Sequence, residues 1–264
     1  MSDLVRLPPA PDPQEIYRRA EAEGQRRLSM TLQDQAMTGF IAGVTIVFGT
    51  VALGVVESLV EPGLGPEAAK LAGALAFGIG LVFLIVGRTE LLSENFFDPV
   101  AAPVKEGGAG PWARLAQLWI TILILNLVGG AVLIAVLTIE GALPEGAPQA
   151  LVRGAQEIAD KTWVATLARA VLAGTLIALL SYLLNAVDTV VARILLAYLV
   201  GFLLALGPFD HVVVSALHLL FGVLTSGGVS PADLLTNIGL ATAGNLVGGL
   251  LLITLTHTAQ VRGE

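Results

Sequence analysis

Two short polar stretches interrupt apolar runs of this chain. RTELLSENFFDPV places Arg88, Glu90, Ser93, Glu94, Asn95 and Asp98 directly after LAFGIGLVFLIVG, and GPFDH sets Asp210 and His211 between LLAYLVGFLLAL and VVVSALHLLFGVL. Ionisable groups inside apolar runs are costly unless paired or facing a cavity, so they mark a binding or proton-handling site by default. Histidine suits proton exchange because its ordinary pKa of about 6.5 lies beside physiological pH. His211 is therefore the candidate for moving a proton, with a structural, hydrogen-bonded role as the alternative. His218, two turns further on, reads as structural or lumen-facing, and His257 as interfacial. Histidines this dispersed do not build a metal site, and cysteine is absent, so neither metal nor cofactor is expected. No nucleophile–base constellation or phosphate-binding glycine loop accompanies them, which speaks against an enzyme.

The elements that must position these residues follow from composition. Of 264 residues, 55% are hydrophobic and 13% charged, outside the range of soluble domains. A polytopic, all-α membrane protein is expected. Apolar runs at 36–60, 68–98, 113–138, 162–185, 190–225 and 234–257 give six spans, since a bilayer core takes about 20 apolar residues per helix. Residues 1–35 form a separate polar segment holding Pro8, Pro9, Pro11 and Pro13, and its EIYRRAEAEGQRRL reads as an amphipathic surface helix or as a solvated tail. The transmembrane unit is 36–257, and 258–264 form a tail. No signal peptide is expected, because no short h-region with a cleavage site precedes the first span. With both termini cytoplasmic, that side carries Arg6, Arg18, Arg19, Arg26, Arg27, Lys105, Arg114, Arg193 and Arg262, against Lys70, Arg153 and Lys161 opposite. This asymmetry orients the chain. A net charge of −7 offers nothing to nucleic acid.

NLVGG occurs at Asn126–Gly130 and again at Asn245–Gly249, in the third and sixth spans. An offset of three crossings inverts one half relative to the other, the arrangement that puts a transport pathway where two halves meet. Simple small-residue packing also explains the pentapeptide. Spans two and five are too long for one crossing, and Gly207 and Pro208 stop the first half of span five. A second half-helix beginning near Asp210–Val212 aims free amides and a positive dipole end at the pathway, which favours an anion.

GRTELLSEN, the first NLVGG, GPFDH and the final GNLVGG resemble, in the same order, the formate/nitrite transporter family, over about Gln33–Thr258. The resemblance implies an aquaporin-like fold of six spans in inverted 3+3 halves, helices 2 and 5 interrupted, assembled as a homopentamer with one pore per protomer. Aquaporins themselves would carry two Asn-Pro-Ala motifs, and this chain has none. The family's acid–Leu–(aromatic or Leu)–Thr falls on Glu90, Leu91, Leu92 and Ser93, and its Phe-Glu-His on Phe209, Asp210 and His211. The resemblance thus makes His211 the pore histidine, with Phe77, Leu81, Leu91 and Phe202 as candidates for the apolar constrictions.

The chain also departs from the family. Val212 and Ser215 stand where Ser and Asn are usual after the histidine, Gly174 where span four usually holds Asn, and Arg88 and Arg169 are additional charges. Arg88 is expected to pair with Glu90, Glu94 or Asp98, an anion-attracting role being the alternative. Arg169, two turns into span four, is expected to snorkel outward or touch another protomer. A bare anion in hydrocarbon costs several kcal/mol. The resemblance therefore implies a channel or proton-coupled carrier in the cell's inner membrane, in which a small monovalent anion gains a proton near His211 and crosses as its neutral acid. Alternatives are a pore of the same architecture for a neutral or cationic solute, and a non-transporting scaffold or sensor.

Overall fold

A computed structural model describes residues 11–262, which are helical throughout, with no strand among them. Arg6, Pro8 and Pro9 lie outside the described residues. Helix α1 (Pro13–Leu28) begins on Asp12, whose side chain accepts from the Glu15 amide at 2.8 Å, and has Pro13 in its first turn and Arg26 and Arg27 in its last. Those choices satisfy a free amide and match the helix dipole. Its buried residues Ile16, Ala20, Gly24 and Leu28 recur every fourth position and form one stripe. This stripe packs on helices from both ends of the chain.

Helix α2 (Leu32–Val86) holds two antiparallel arms joined at Gly65, where φ is 81°. The sequence suggested a break from 61 to 67. Instead the helix runs through Pro62 and Pro66 and leaves helical geometry only at Gly65, a left-handed position that glycine takes without penalty. The arms approach so closely that a Cβ on Gly80 would lie 2.8 Å from the Gly49 Cα. The second arm ends at Val86. Extended residues, a 3-10 turn (Leu92–Phe96) and helix α3 (Asp98–Glu106) follow, so the second run is not one helix over 68–98.

Next come α4 (Ala109–Leu137), α5 (Ala147–Ala159), α6 (Trp163–Asn185), α7 (Val190–Leu206), α8 (Val212–Leu224) and α9 (Pro231–Val247). A π-helical segment (Gly248–Thr254) then leads into α10 (Leu255–Arg262). Helices α2, α4, α6 and the stretch Pro231–Val261 are long and apolar enough to cross a membrane; α7 and α8 are shorter and apolar. Helix α5 was not read from the sequence, and its buried Ala147, Ala150, Leu151 and Ala155 lie against α8 and α2.

The duplicated NLVGG explains how the halves are built. Asn126 donates to the Gly39 carbonyl (2.9 Å) and the Glu90 carbonyl (3.0 Å), and its Oδ1 accepts from the Leu92 amide (3.0 Å). Asn245 does the same with the Ala170 carbonyl (2.8 Å), the Asp210 carbonyl (3.0 Å) and the Val212 amide (3.0 Å). Each asparagine satisfies the backbone groups that one interrupted span leaves free, which buried backbone requires. The glycines do pack: a Cβ on Gly129 would meet the Phe40 carbonyl at 2.1 Å, and one on Gly248 the Val171 carbonyl at 2.0 Å. The motif is therefore both a break cap and a packing surface. Gly174 belongs to this framework, since a Cβ there would lie 2.0 Å from the Asn245 carbonyl.

Candidate functional site

The two breaks meet. Ser93, just after the break of the second run, hydrogen-bonds through its hydroxyl to His211 Nε2, and both residues are buried. His211 is the N-cap of α8, with Nδ1 accepting from the Val214 amide at 3.4 Å. A neutral imidazole has one donor and one acceptor nitrogen. With Nδ1 as acceptor, Nε2 carries the proton and donates to Ser93 Oγ. A proton on Nδ1 and the Val214 cap are mutually exclusive.

Two cavities approach this pair from opposite ends and share no lining residue. The distal vestibule, of about 510 Å³, reaches His211 and is lined also by Phe77, Phe209, Asp210, Ser215 and His218. The terminal-face vestibule, of about 470 Å³, is bounded by α1 residues together with Arg88, Glu90, Glu94 and Asp98. Leu81, Leu91 and Ser93 line neither cavity and are fully buried. Packed side chains close the path between the two.

Several expected residues fall elsewhere. Phe202 is half-buried and lines neither cavity; the inward face of α7 is Ala197, Val200, Gly201 and Leu204, of which Leu204 lines the distal vestibule together with Phe77. Arg88 does not pair with Glu90, Glu94 or Asp98. It sits at φ 53° where the chain turns out of α2, is exposed, and lines the terminal-face vestibule. The carboxylates are taken by α1 instead. Arg26 bonds Glu90 Oε1 at 2.9 Å, while Arg27 reaches Glu90 Oε2 at 3.1 Å and Asp98 Oδ2 at 3.7 Å. Burial works against the Arg27 charge, but Glu90, Asp98 and Glu23 outweigh it and hold the guanidinium above its ordinary pKa. Glu94 is buried with Oε1 unpartnered, and its carbonyl accepts from Arg27 and Ser181. Arg169, expected to snorkel outward, lines the distal vestibule.

Two further residues were not found in the sequence. Lys161, on the connection into α6, pairs with Asp210. Burial, helped by the nearby Arg169 charge, pulls its ammonium below the ordinary lysine value although Asp210 supports it. Asp210 Oδ2 remains buried without a hydrogen-bond partner. Ser215 donates to Asn237 Oδ1 at 2.7 Å, so α9 supplies an amide beside the position where the family's asparagine is missing. A lysine in a polar connection and an asparagine mid-helix carry no sequence signal that separates them from ordinary surface or packing residues. His218 back-bonds through Nδ1 to the Val214 carbonyl at 3.0 Å while facing the vestibule, and His257 stacks on Tyr182 at 3.8 Å.

Comparison with known proteins bears on this arrangement. The family model described as formate/nitrite transporter matches residues 14–259. The inner membrane protein YfdC of Escherichia coli is 24% identical over 250 residues, covering 94% of this chain and 79% of that protein. A probable formate transporter of Methanothermobacter thermautotrophicus is 27% identical, covering 83% and 85% respectively. Among solved structures, one titled as an FNT family ion channel superposes with a TM-score of 0.81 at 15% identity, over 93% of this chain and 98% of its own. A pentameric formate channel with formate bound gives 0.71 at 17% identity, over 87% and 97%. These likenesses show the shared fold.

Proposed function

The chain belongs to the formate/nitrite transporter family, and from that premise we propose that it is a membrane pore or proton-coupled carrier for a small monovalent anion or its weak acid, with His211 as the proton-handling group. The observation that carries this reading is the Ser93–His211 hydrogen bond, which joins the two breaks at the inner end of the distal vestibule. Formate is the solute to test first, because relatives named as formate transporters and channels share most of the chain. By the Lys and Arg asymmetry the terminal face is cytoplasmic and the distal vestibule opens to the other side of the cell membrane. Residues 36–257 form the transmembrane unit between the flanking segments 1–35 and 258–264. The pentameric neighbour supports five copies per assembly.

The proton route follows from the imidazole's partners. A neutral His211 that gave up its Nε2 proton would become an imidazolate, which proteins do not sustain near neutral pH. It donates only after a second proton has reached Nδ1 and displaced the Val214 amide. The Nε2 proton then passes to Ser93 Oγ as the Ser93 hydroxyl proton passes to the anion, leaving neutral imidazole protonated on Nδ1; exchange of that proton through water for one on Nε2 restores the resting tautomer and the Val214 cap. One proton enters with each anion. The neutral acid crosses the apolar packing around Leu81 and Leu91 at far lower desolvation cost than the ion.

Formate uptake into proteoliposomes should rise as external pH falls and should drop at least about tenfold in His211→Ala, as loss of a positioned proton-transfer group predicts. Wild-type-like, pH-dependent uptake by an assembled His211→Ala oligomer would remove the histidine from the mechanism.

A further inference from the structure

We propose that Arg169 is the anion-capturing residue of the distal vestibule and selects solutes with two oxygens able to meet a guanidinium side by side, that is, small carboxylates and comparably planar oxyanions. This deepens the transport reading above and rests on it for its substrate class.

The inference comes from counting which charges in that cavity are already committed. Its lining cations are Lys70, Arg153, Lys161 and Arg169. Lys70 bonds Glu157 at 2.8 Å, Arg153 bonds Glu61, and Lys161 bonds Asp210. Arg169 is exposed to the cavity and has no ion pair among the described residues. The remaining carboxylate, Glu57, packs its stem against Gly73 and makes no ion pair with Arg169. The Arg169 main chain is fixed where it matters, because its carbonyl accepts from the Asp210 amide at 3.2 Å, one residue before His211. The Lys161 charge lies close enough to act on the same volume. The group thus holds two cations against the single carboxylate of Asp210, at the start of α8, whose N-terminal dipole end adds to the positive field. An arginine presents a planar fork of donors that matches a carboxylate in two parallel hydrogen bonds, which an ammonium cannot do.

The test uses wild type, Arg169→Gln, Arg169→Lys and, as a control on the same wall, Arg153→Gln. Because the Arg169 carbonyl and not its side chain holds Asp210, the substitutions leave that bond in place. In Arg169→Gln the formate concentration at half-maximal uptake should rise about tenfold, the loss expected for one charge-assisted bidentate contact. Arg169→Lys should recover only part of it, and Arg153→Gln none of the change. The same proteins in detergent are heated with increasing sodium formate, against sodium chloride at equal ionic strength. Formate should raise the unfolding midpoint of wild type and not of Arg169→Gln. Half-saturation and stabilisation unchanged in Arg169→Gln would overturn the inference while His211-dependent uptake kept the transport reading intact. Formate-specific stabilisation that needs Arg169, without any uptake, would uphold capture and overturn transport. Neither uptake nor stabilisation in wild type would overturn both.

Discussion

The two breaks are built on one plan and closed in different ways. In each half an asparagine from NLVGG satisfies the interrupted backbone, and an acidic residue at equivalent positions, Glu90 or Asp210, meets a cation from outside the span. On the distal side that cation is one lysine, and the cavity runs on to His211. On the terminal face it is two arginines of a whole helix, one of which, Arg27, also reaches Asp98, and the cavity stops short of Ser93. Backbone satisfaction is a fixed requirement of burial and admits few solutions. The electrostatic closure is not so constrained, and there the halves have diverged.

The comparison can be broken at three levels. If the asparagines are equivalent, Asn126→Leu and Asn245→Leu should each strand two buried backbone groups and lower stability by about 4 kcal/mol. Thermal unfolding of the detergent-solubilised protein measures this, and a silent variant in one half would show that the plan is not shared. The terminal-face closure should be the next largest. Arg27→Gln leaves buried carboxylates without their central cation and should cost about 3 kcal/mol, seen as faster tryptic cleavage at Arg18 and Arg19, with Lys161→Gln leaving those cuts unchanged. The smallest effect concerns Glu23. Desolvation raises its pKa, but Arg26 and Arg27 outweigh this and hold it below its ordinary value. Its contribution is complete above the ordinary glutamate pKa of about 4.3 and is lost as pH falls through the lower folded value. Tryptophan-free α1 can be followed with a dye at its N-terminal end, and its release should therefore begin only below about pH 4; release at neutral pH would contradict the clamp.

What could be read from the sequence was what stood out chemically from its surroundings. His211, Ser93 and the two breaks were legible because polar groups in an apolar run are conspicuous, and NLVGG because it repeats. The misassignments arise where that contrast fails. Beyond Arg193 every face of α7 is apolar or aromatic, so nothing distinguished Phe202 from Leu204 before their burial was seen. Arg88 lay beside three acids in the chain, but Arg26 and Arg27 reach those acids from more than sixty residues away. Short sequence distance was a poor guide to pairing once the chain turned at Arg88. Lys161 and helix α5 sat in a polar connection, where a functional cation looks like any solvated one.

The Ser93–His211 pair has a further consequence. The backbone bonds of Asn126 and Asn245 equate Glu90 with Asp210 and Leu92 with Val212, which makes Leu91 the counterpart of His211 and Val213 that of Ser93. Leu91 and Val213 are both fully buried and apolar. Two identical subunits related by a twofold axis would carry either two Ser–His pairs or none. A single imidazole at the junction requires two halves that have mutated independently, and here the two are carried in one chain.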